Sequence, residues 1–430
     1  MSRLAFVSPV PPASSGIADY SADVLALLAG RHAIDVFHGQ EAPGRERLPA
    51  SCGLHHAGSF LARHRERPYD LAIYQLGNAP LHAFAYDLMA RVPGLLVLHD
   101  LVLHHSRARM LLDTPEARAY EHQPWSEARR VAALPALDAY EAELAYTYGN
   151  ERAERLAATQ LATVGDLLPY AYPLFRIPVE AARVTAVHND FMAEAVRAEV
   201  PEAEVVRIPM AAERVSVKPE AIAALRARYG SPPDAFVVAS FGLLTREKRL
   251  ESVARAVARV AATLPTVRLL LVGPCPDADA LAALLARLGV AQRAIVPGRV
   301  AFEELAAHME LADLVVHLRY PTARETSAAL LRVLAQGRPT VMADLQHLAD
   351  VPEDAVLRAD PTDEEGEVTR AILRLAERPQ LWARLGQRAS AFVAREHSPA
   401  RCRASYEAAI ERALALPDPA PREWPAHWQR

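Results

Sequence analysis

The chain has 430 residues, which is too long for one hydrophobic core at roughly 100–200 residues per domain. Hydrophobic residues make up 51% and charged residues 23% of the sequence, a composition typical of globular proteins that excludes a disordered chain. The 48 basic and 52 acidic residues give a net charge of −4, so no global field attracts nucleic acid or an anionic membrane. An anionic ligand must therefore meet a local site.

The cysteines and the N-terminus indicate the expected compartment. Cys52, Cys275 and Cys402 are far apart and lack metal-ligand spacing, so they predict neither a disulfide framework nor a zinc site. The opening MSRLAFVSPVPP is broken by prolines and lacks the apolar stretch of a signal peptide. No run approaches the roughly 18 apolar residues of a membrane span. We therefore expect a cytoplasmic protein, and a peripheral contact with the inner face of the membrane stays open.

Short apolar strands alternate with helices at the start of the chain. LAFVS is a bare apolar run, and a loop, PVPPASSG, leads from it into a helix that ends at Gly30. DLAIYQ and GLLVLHD are further strands of the same kind. This alternation predicts a doubly wound α/β sheet.

The pattern then changes twice. From Arg107 to about Tyr172 the segments are helical, which predicts an insertion whose aromatic residues Trp125, Tyr140 and Tyr146 are expected in its core, with sugar stacking as the alternative. Strands return at RVTAVHN and VVRIPM, and a Gly/Ser/Pro-rich break precedes a second α/β series. That series comprises the strands AFVVASFG, VRLLLVG, RAIVPG, ADLVVHL and PTVMAD, with helices over 249–263, 278–288, 302–311 and 326–336 and further helices over about 364–415.

Several polar residues follow the predicted strands at their carboxyl ends, where α/β sheets bind ligands. Gly16 lies between a strand and a helix, where backbone N–H groups suit a negative charge, although an ordinary turn explains a single glycine equally well. His99 ends GLLVLHD and can hydrogen-bond a substrate hydroxyl. In FGLLTREKR, Gly242 with Lys248 and Arg249 combines backbone donors with two positive charges, which fits a diphosphate, whereas a solvated helix start is the alternative.

The segment HLRYPTARETSAALLRVLAQGRPTVMAD is the most informative. A strand ends near His317, a loop holds Glu325, and Thr326 and Ser327 begin an apolar helix with free N–H groups. A carboxylate at a helix start is commonly favourable with the helix dipole alone. In a cleft it can instead accept hydrogen bonds from sugar hydroxyls, with Thr326 and Ser327 facing a phosphate.

These stretches, in this order, resemble the retaining GT-B glycosyltransferases of family 4, in glycosyltransferase group 1. The resemblance covers nearly the whole chain and rests on SPVPPASSGIADYS, LHD, FGLLTREKR, LLLVGP, VPGRVAFEELAAHMELADLVVHLRYPT and ETSAALLRVLAQGRPTVMAD. It implies two facing Rossmann-like α/β domains, the first with the helical insertion. It also implies transfer of a sugar from a UDP-, GDP- or other nucleoside-diphosphate sugar with retention, without a required metal or cofactor.

The resemblance also implies roles for parts of the chain. Residues 1–215 form the acceptor-side domain with the insertion at about 107–172, residues 216–400 bind the nucleotide sugar, and residues 401–430 form a helix and tail that pack back on the first domain. The implied catalytic residues are His99 and Glu325. The implied donor-binding residues are Gly16, Gly242, Lys248, Arg249, Arg319, Thr326 and Ser327, and the acceptor-side candidates are Asp19, Tyr20, Asn78 and His104.

The chain departs from the family pattern at two positions. The second glutamate of the E-x7-E motif, which contacts the ribose, falls at Val333, and an arginine expected before Lys248 falls at Leu243. Arg249 or Arg319 is therefore expected to supply the second positive charge. Lys248 is one of only two lysines in the chain, the other being Lys218. A compact ammonium group suits a crowded phosphate.

We therefore predict a hexosyltransferase-type enzyme whose partners are a nucleotide sugar and a sugar, lipid or other hydroxyl acceptor. Two alternatives stay open. One is a GT-B-like epimerase or phosphorylase, and the other is a non-catalytic sugar-nucleotide-binding protein, which the altered glutamate motif favours.

Overall fold

The computed structural model describes residues 1–13, 15–123, 125–161 and 167–428. Its contacts divide the chain into two compact units. The boundary falls after Met210, a few residues before the position predicted from the sequence, and no sequence pattern indicated the return of four residues after Thr322 to the first unit. The first unit contains Met1–Met210, Ala323–Thr326 and Ala400–Arg430, and the second contains Ala211–Thr322 and Ser327–Pro399.

The first unit contains a seven-stranded parallel sheet. Its apolar strands are covered on both faces, which explains why they read as continuous apolar runs. The strands are β1 (Arg3–Val7), β2 (Ala33–His38), β3 (Gly53–His56), β4 (Leu71–Leu76), β5 (Leu95–Leu98), β6 (Val184–Val187) and β7 (Val205–Arg207), in the order β3-β2-β1-β4-β5-β6-β7. The sequence analysis missed β3 because this edge strand is short and half polar, with the sequence GLHH.

Ten helices of the first unit precede the boundary in the described residues. They are α1 (Gly16–Leu28), α2 (Phe60–Glu66), α3 (Ala83–Arg91), α4 (His104–Leu112), α5 (Pro115–His122), α6 (Glu127–Tyr148), α7 (Asn150–Leu161), α8 (Leu168–Ala171), α9 (Arg176–Glu180) and α10 (Asp190–Glu199). Helices α4 to α8 form the insertion between β5 and β6. Tyr140 is fully buried in its core, as expected, whereas Trp125 is 79% exposed and the prediction of a core role for it was wrong.

The second unit repeats the α/β alternation with a six-stranded parallel sheet. Its strands are β8 (Val237–Phe241), β9 (Arg268–Val272), β10 (Ala294–Gly298), β11 (Leu314–His317), β12 (Thr340–Ala343) and β13 (Leu357–Ala359), in the order β10-β9-β8-β11-β12-β13. Its helices are α11 (Pro219–Arg228), α12 (Leu250–Val260), α13 (Ala278–Arg287), α14 (Phe302–Leu311), α15 (Ala328–Ala335), α16 (Glu364–Glu377) and α17 (Pro379–Glu396). Among the described residues, no helix is long and apolar enough to span a membrane.

The last helix, α18 (Pro399–Ala415), and the tail after it belong to the first unit from Ala400 onwards. The tail ends on a buried ion pair between Arg107 of α4 and Glu143 of α6, joined by Arg107 Nε and Glu143 Oε2 at 3.0 Å. His427 Nε2 and Trp428 Nε1 lie 2.7 and 2.6 Å from Glu143 Oε1. The Arg107 guanidinium lies 4.6 Å from the Tyr86 ring centre and 4.8 Å from that of Trp428. The tail thus covers the ion pair that joins two helices of the insertion, α4 and α6.

We expect Glu143→Gln to lower the free energy of unfolding by about 3–5 kcal/mol, because Arg107 keeps its charge without a carboxylate in a buried place. Burial by itself raises the pKa of Glu143, but Arg107 and His427 outweigh it and lower this pKa to about 2. The contribution of Glu143 is therefore complete above about pH 5, where an unfolded glutamate is ionised, and is lost as the pH falls to about 2.

Chemical denaturation at pH 7 measures this loss. The control is Glu127→Gln, which removes the exposed partner of Arg130 on the same helix. Equal unfolding midpoints for the two variants would contradict the role assigned to the buried pair.

Candidate functional site

Three neighbouring strands of the second unit end in glycines with positive φ. Gly242 follows β8, Gly273 follows β9 and Gly298 ends β10, with φ values of 109°, 145° and 74°. The Gly273 N–H donates to the Gly298 carbonyl at 2.9 Å, and a Cβ added to Gly273 would lie 1.9 Å from the Gly242 carbonyl oxygen. Because neighbouring backbones touch here, this strip of the carboxyl edge carries no side chains. We call these three residues the glycine strip.

Lys248 lies over one end of the glycine strip. It is 4% exposed, and a Cβ added to Gly242 would lie 3.4 Å from its Nζ. Burial, together with the positive charges of Lys248 and Arg319, holds the pKa of His317 well below its ordinary value. Both cations therefore act on the end of β11, beside the strip, where an anion would be stabilised. The sequence analysis noted His317 only as a strand end, and that position was the available signal.

Arg249 forms an ion pair within the second unit, and its donor-binding role stays a prediction. It has a left-handed φ of 55° at the start of α12, and its Nε donates to Glu364 Oε2 at 2.8 Å. The same carboxylate oxygen accepts from the Ser252 hydroxyl. Glu364 begins α16, so the guanidinium fixes α12 to α16 and its charge is already balanced. Arg319 is the better candidate for the second positive charge.

The segment with Glu325 is held by atoms of the first unit. The Leu101 N–H donates to the Ala323 carbonyl at 2.9 Å. The Asn189 amide donates to the Arg324 carbonyl and to Thr326 Oγ1, each at 3.1 Å. Thr326 is thus engaged by Asn189, and Glu325 lies between two anchored residues.

Asn189 was missed by the sequence analysis. Its position directly after β6, in the HN pair that parallels the HD pair after β5, was the available signal. Ser327 is the N-cap of α15, where its Oγ accepts from the Leu330 N–H at 3.3 Å. The predicted helix start is thus found two residues later than expected, with the remaining N–H groups of its first turn at the end of β11.

His99 follows β5 and is 5% exposed. Its Nε2 lies 2.8 Å from the Gln75 side chain, and its Nδ1 lies 3.1 Å from His188 Nε2. Burial and the neighbouring His188 hold the pKa of His99 well below its ordinary value, so the ring is neutral. Both nitrogens are engaged, and a ligand can bind either one only by displacing its partner.

Two of the acceptor-side candidates are core residues, and their predicted roles are corrected. Tyr20 is 4% exposed, and its hydroxyl hydrogen-bonds the Tyr406 hydroxyl at 2.7 Å. His104 is fully buried between the Tyr172 carbonyl and the Tyr140 hydroxyl. Burial is the main cause that lowers the pKa of His104 to about 4. Apolar spacing along a helix accounts for Tyr20, and His104 joins α4 to α6 within the insertion.

The remaining candidates lie near the ends of β1 and β4. Gly16 begins α1 after the N-cap Ser15, and no atom lies within 4 Å of a Cβ added to it, so the space above it is open. Asp19 forms an ion pair with Arg47. The Asn78 N–H donates to Asp100 Oδ2 at 2.7 Å. Its Oδ1 accepts from the Ser106 N–H at 3.1 Å, which ties the end of β4 to α4.

In the part of the chain that the structure describes, no group of three His, Cys, Asp or Glu side chains is arranged to hold a metal ion.

Solved structures share this fold over almost the whole chain. Sucrose-phosphate synthase from Thermosynechococcus elongatus is 17% identical with a TM-score of 0.68 and covers 96% of this chain and 100% of its own. HepE from Anabaena, solved with UDP, is also 17% identical with a TM-score of 0.63 and the same coverage. A glycosyltransferase from Rickettsia africae is 11% identical with a TM-score of 0.65 and covers 96% of this chain and 99% of its own. The chain therefore has the GT-B fold, with two Rossmann-like domains.

The second unit can be assigned more narrowly. Residues 235–378 match the family model described as Glycosyl transferases group 1. The chain thus carries a group 1 glycosyltransferase domain, and the predictions of the GT-B fold, of group 1 and of a glycosyltransferase are confirmed. No curated protein matches the sequence. Membership of family 4 stays a prediction.

We expect Gly273→Ala to destabilise the second unit, because its Cβ would meet the Gly242 carbonyl oxygen, which belongs to backbone and cannot rotate away. The control is Gly289→Ala, which also has a positive φ of 69° but has no atom within 4 Å of the added Cβ. Backbone strain alone costs about 1–2 kcal/mol. A thermal unfolding midpoint for Gly273→Ala no lower than that of the control would contradict the close backbone approach in the glycine strip.

Proposed function

We propose that this protein transfers a sugar from a nucleoside-diphosphate sugar to a hydroxyl acceptor, with retention of the anomeric configuration. The observation that carries the proposal is the pairing of Lys248 and Arg319 beside the glycine strip, within a group 1 glycosyltransferase domain. Two cations and a side-chain-free backbone suit a bound diphosphate. HepE was solved with UDP, with UDP and glucose and with UDP-glucose, which supports a UDP-sugar donor.

Charge develops on the leaving diphosphate, and the second unit supplies the groups that stabilise it. Lys248 and Arg319 provide positive charge, and the first turn of α15 behind Ser327 provides N–H groups and the positive end of the helix dipole. These groups are held by buried backbone before any ligand binds. They therefore lower the energy of the separating charge without reorganising during the reaction.

Glu325 and His99 are proposed to act on the donor sugar. The anchored segment beside Asn189 holds Glu325, whose carboxylate can accept hydrogen bonds from sugar hydroxyls. His99 is buried and neutral, so it is proposed to orient the sugar rather than to transfer a proton, with a sugar hydroxyl displacing the Gln75 side chain from its Nε2. In line with the family 4 resemblance, the reaction is proposed to require no metal and to take place in the cytoplasm. The inner face of the membrane is the alternative location, with a lipid acceptor.

A cavity of about 450 Å³ in the insertion of the first unit is the proposed acceptor subsite. Pro80, which follows the carboxyl end of β4, lines it together with Arg109 of α4. Side chains of both charges line it, which suits a hydroxyl-rich acceptor rather than an apolar one. The other charged side chains that line it are Asp113, Arg118 and Glu121.

One observation favours a second function, a non-catalytic sugar-nucleotide-binding protein. Val333, at the position of the second motif glutamate, is 1% exposed and packs in the core beneath α15. This position therefore lacks the carboxylate of the family motif, and its burial in the core also disfavours a charged side chain there. Tight UDP binding without transfer to any of a panel of acceptors would favour this second function.

We expect Lys248→Ala to raise the Kd for UDP about tenfold or more, equal to about 1.4 kcal/mol, because the diphosphate loses a buried positive charge. The control is Lys218→Ala, which removes the only other lysine, an exposed residue before α11. Isothermal titration with UDP measures both variants. Equal affinities would contradict the diphosphate site.

In the same titration, Glu325→Gln should bind UDP as the wild type does. In a transfer assay, this variant should transfer sugar at least about tenfold more slowly than the wild type.

We expect Arg109→Ala to raise KM for the acceptor about threefold or more and to leave KM for the donor unchanged, because Arg109 lines the proposed acceptor cavity in the first unit whereas the proposed diphosphate site lies in the second. The control is Arg65→Ala on α2, an exposed arginine outside the cavity. Initial rates at varied donor and varied acceptor separate the two constants. A rise in the donor KM alone would contradict the assignment of the cavity.

A further inference from the structure

A chain of buried polar side chains crosses the carboxyl edge of the first sheet. It runs from Ile208 after β7 to His188 after β6, His99 after β5 and Gln75 near the end of β4. These are four neighbouring strands of the sheet. The chain then continues to Tyr406 of α18 and Tyr20 of α1.

The contacts are continuous. His188 Nδ1 lies 2.8 Å from the Ile208 carbonyl oxygen and His188 Nε2 lies 3.1 Å from His99 Nδ1. His99 Nε2 lies 2.8 Å from one terminal atom of the Gln75 carboxamide, and the other terminal atom lies 3.5 Å from the Tyr406 hydroxyl. None of the four side chains His188, His99, Gln75 and Tyr406 is more than 5% exposed. Water is therefore not available to replace a missing hydrogen bond.

Only one arrangement of protons satisfies this chain with neutral groups. A carbonyl oxygen accepts only, so His188 must carry its proton on Nδ1, and its Nε2 must accept. His99 must then donate from Nδ1, which leaves His99 Nε2 as an acceptor. The Gln75 carboxamide must therefore turn its NH₂ towards His99, the reverse of the placement that puts Oε1 there. Its oxygen then accepts from the Tyr406 hydroxyl, which in turn accepts from Tyr20.

The opposite assignment fails on physical grounds. If the Gln75 oxygen faced His99 Nε2, His99 would need its proton there, and a neutral ring would then present a bare Nδ1 to His188. His188 would have to donate from Nε2 while still donating to the Ile208 carbonyl, and it would carry a positive charge. The other possibility is a doubly protonated His99, which places the positive charge at an equally buried position. An unpaired buried charge costs far more than rotation of a carboxamide.

We infer that His188, Gln75 and Tyr406 are positioning residues that fix His99 as the neutral tautomer protonated on Nδ1. Each hydrogen bond polarises the next in the same direction, so the four groups hold one another more firmly than separate pairs would. His188 is the decisive member, because the Ile208 carbonyl holds its proton on Nδ1 and so leaves its Nε2 to accept from His99. A backbone carbonyl after β7 therefore sets the proton position on His99 through His188.

The consequence for catalysis rests on the proposed function. His99 is the residue proposed to orient the donor sugar, and a ring with mixed tautomers and rotamers would orient it less well. The positioning residues act through His99 and are not expected to contact the diphosphate, for which the proposed groups belong to the second unit.

Histidine-labelled protein provides the test without any substrate. Long-range ¹H–¹⁵N correlation spectra distinguish rings protonated on Nδ1 from rings protonated on Nε2, and spectra of His99→Gln and His188→Gln assign the two signals among the 16 histidines. We expect both rings to be protonated on Nδ1 in the wild type. In His188→Phe no side chain at position 188 accepts from His99 Nδ1, and we expect His99 to show a population protonated on Nε2, with the Gln75 carboxamide turned over.

The matched control is Tyr74→Phe. Tyr74 is fully buried, precedes Gln75 on β4, and its hydroxyl donates to the Val92 carbonyl at 2.7 Å, away from the relay. Side chains of successive strand residues point to opposite faces of the sheet. Tyr74→Phe should therefore leave the His99 tautomer unchanged even if it costs as much stability as His188→Phe.

Kinetics then separate positioning from general destabilisation. We expect His188→Phe to lower kcat about fivefold or more while KM for the nucleotide sugar changes less than about twofold, and Tyr74→Phe to change neither. A wild-type His99 protonated on Nε2, or a His188→Phe spectrum in which His99 keeps its proton on Nδ1 alone, would overturn the inference. A wild type that transfers no sugar would contradict the proposed function only, because the tautomers are measured without turnover.

Discussion

The structure depends on one constraint, the burial of both faces of two parallel sheets. Every residue of strands such as β4 and β5 is buried, so side chains along these strands are not accessible to a ligand. Polar side chains that meet a ligand are therefore expected where the strands end, and in a parallel sheet all the carboxyl ends share one edge. Most polar residues with proposed roles accordingly follow strands, and Gln75, the second-last residue of β4, is an exception.

The two units meet this constraint in different ways. In the second unit, glycines replace side chains at the strand ends, so that Gly242, Gly273 and Gly298 bring backbone close to backbone and leave Lys248 and Arg319 as the charged groups beside them. The first unit instead fills its strand ends with large polar side chains that hydrogen-bond one another. A bare strip suits a bulky anion, whereas a filled edge suits the fixed orientation of a few groups.

The helical insertion and the chain terminus depend on the same packing rule. Glu143 and Arg107 are buried as a pair because the tail residue Trp428 covers them, and Tyr406 is buried because α18 packs on the first unit. Arg107, Glu143 and Tyr406 thus have partners contributed by segments that are distant in sequence. The terminal segment is therefore part of the structure that fixes the predicted sugar-contacting residue, rather than an appendage.

The alternation of apolar runs with helical periodicity was enough to predict the α/β class, the insertion and most strands, because these patterns reflect local geometry and burial. The edge strand at Gly53–His56 was missed because its burial, and hence its apolar content, is slight. The strand-end positions also identified His99, Lys248 and Glu325 as candidates. The partner of Arg249 was not predicted, because the spacing that places a cation at a helix start does not reveal the carboxylate of Glu364, more than a hundred residues away.

By itself the sequence determined which segments form strands and helices and which polar residues follow the strands, since both depend on neighbours along the chain. Only the tertiary structure decided which side chains hydrogen-bond those residues. Asn189 donates to Thr326, and Glu364 accepts from Arg249. His188 and Gln75 engage the two nitrogens of His99. Hydrogen bonds and ion pairs are satisfied by whichever group is near in space. Distance along the chain carries no information about such partners.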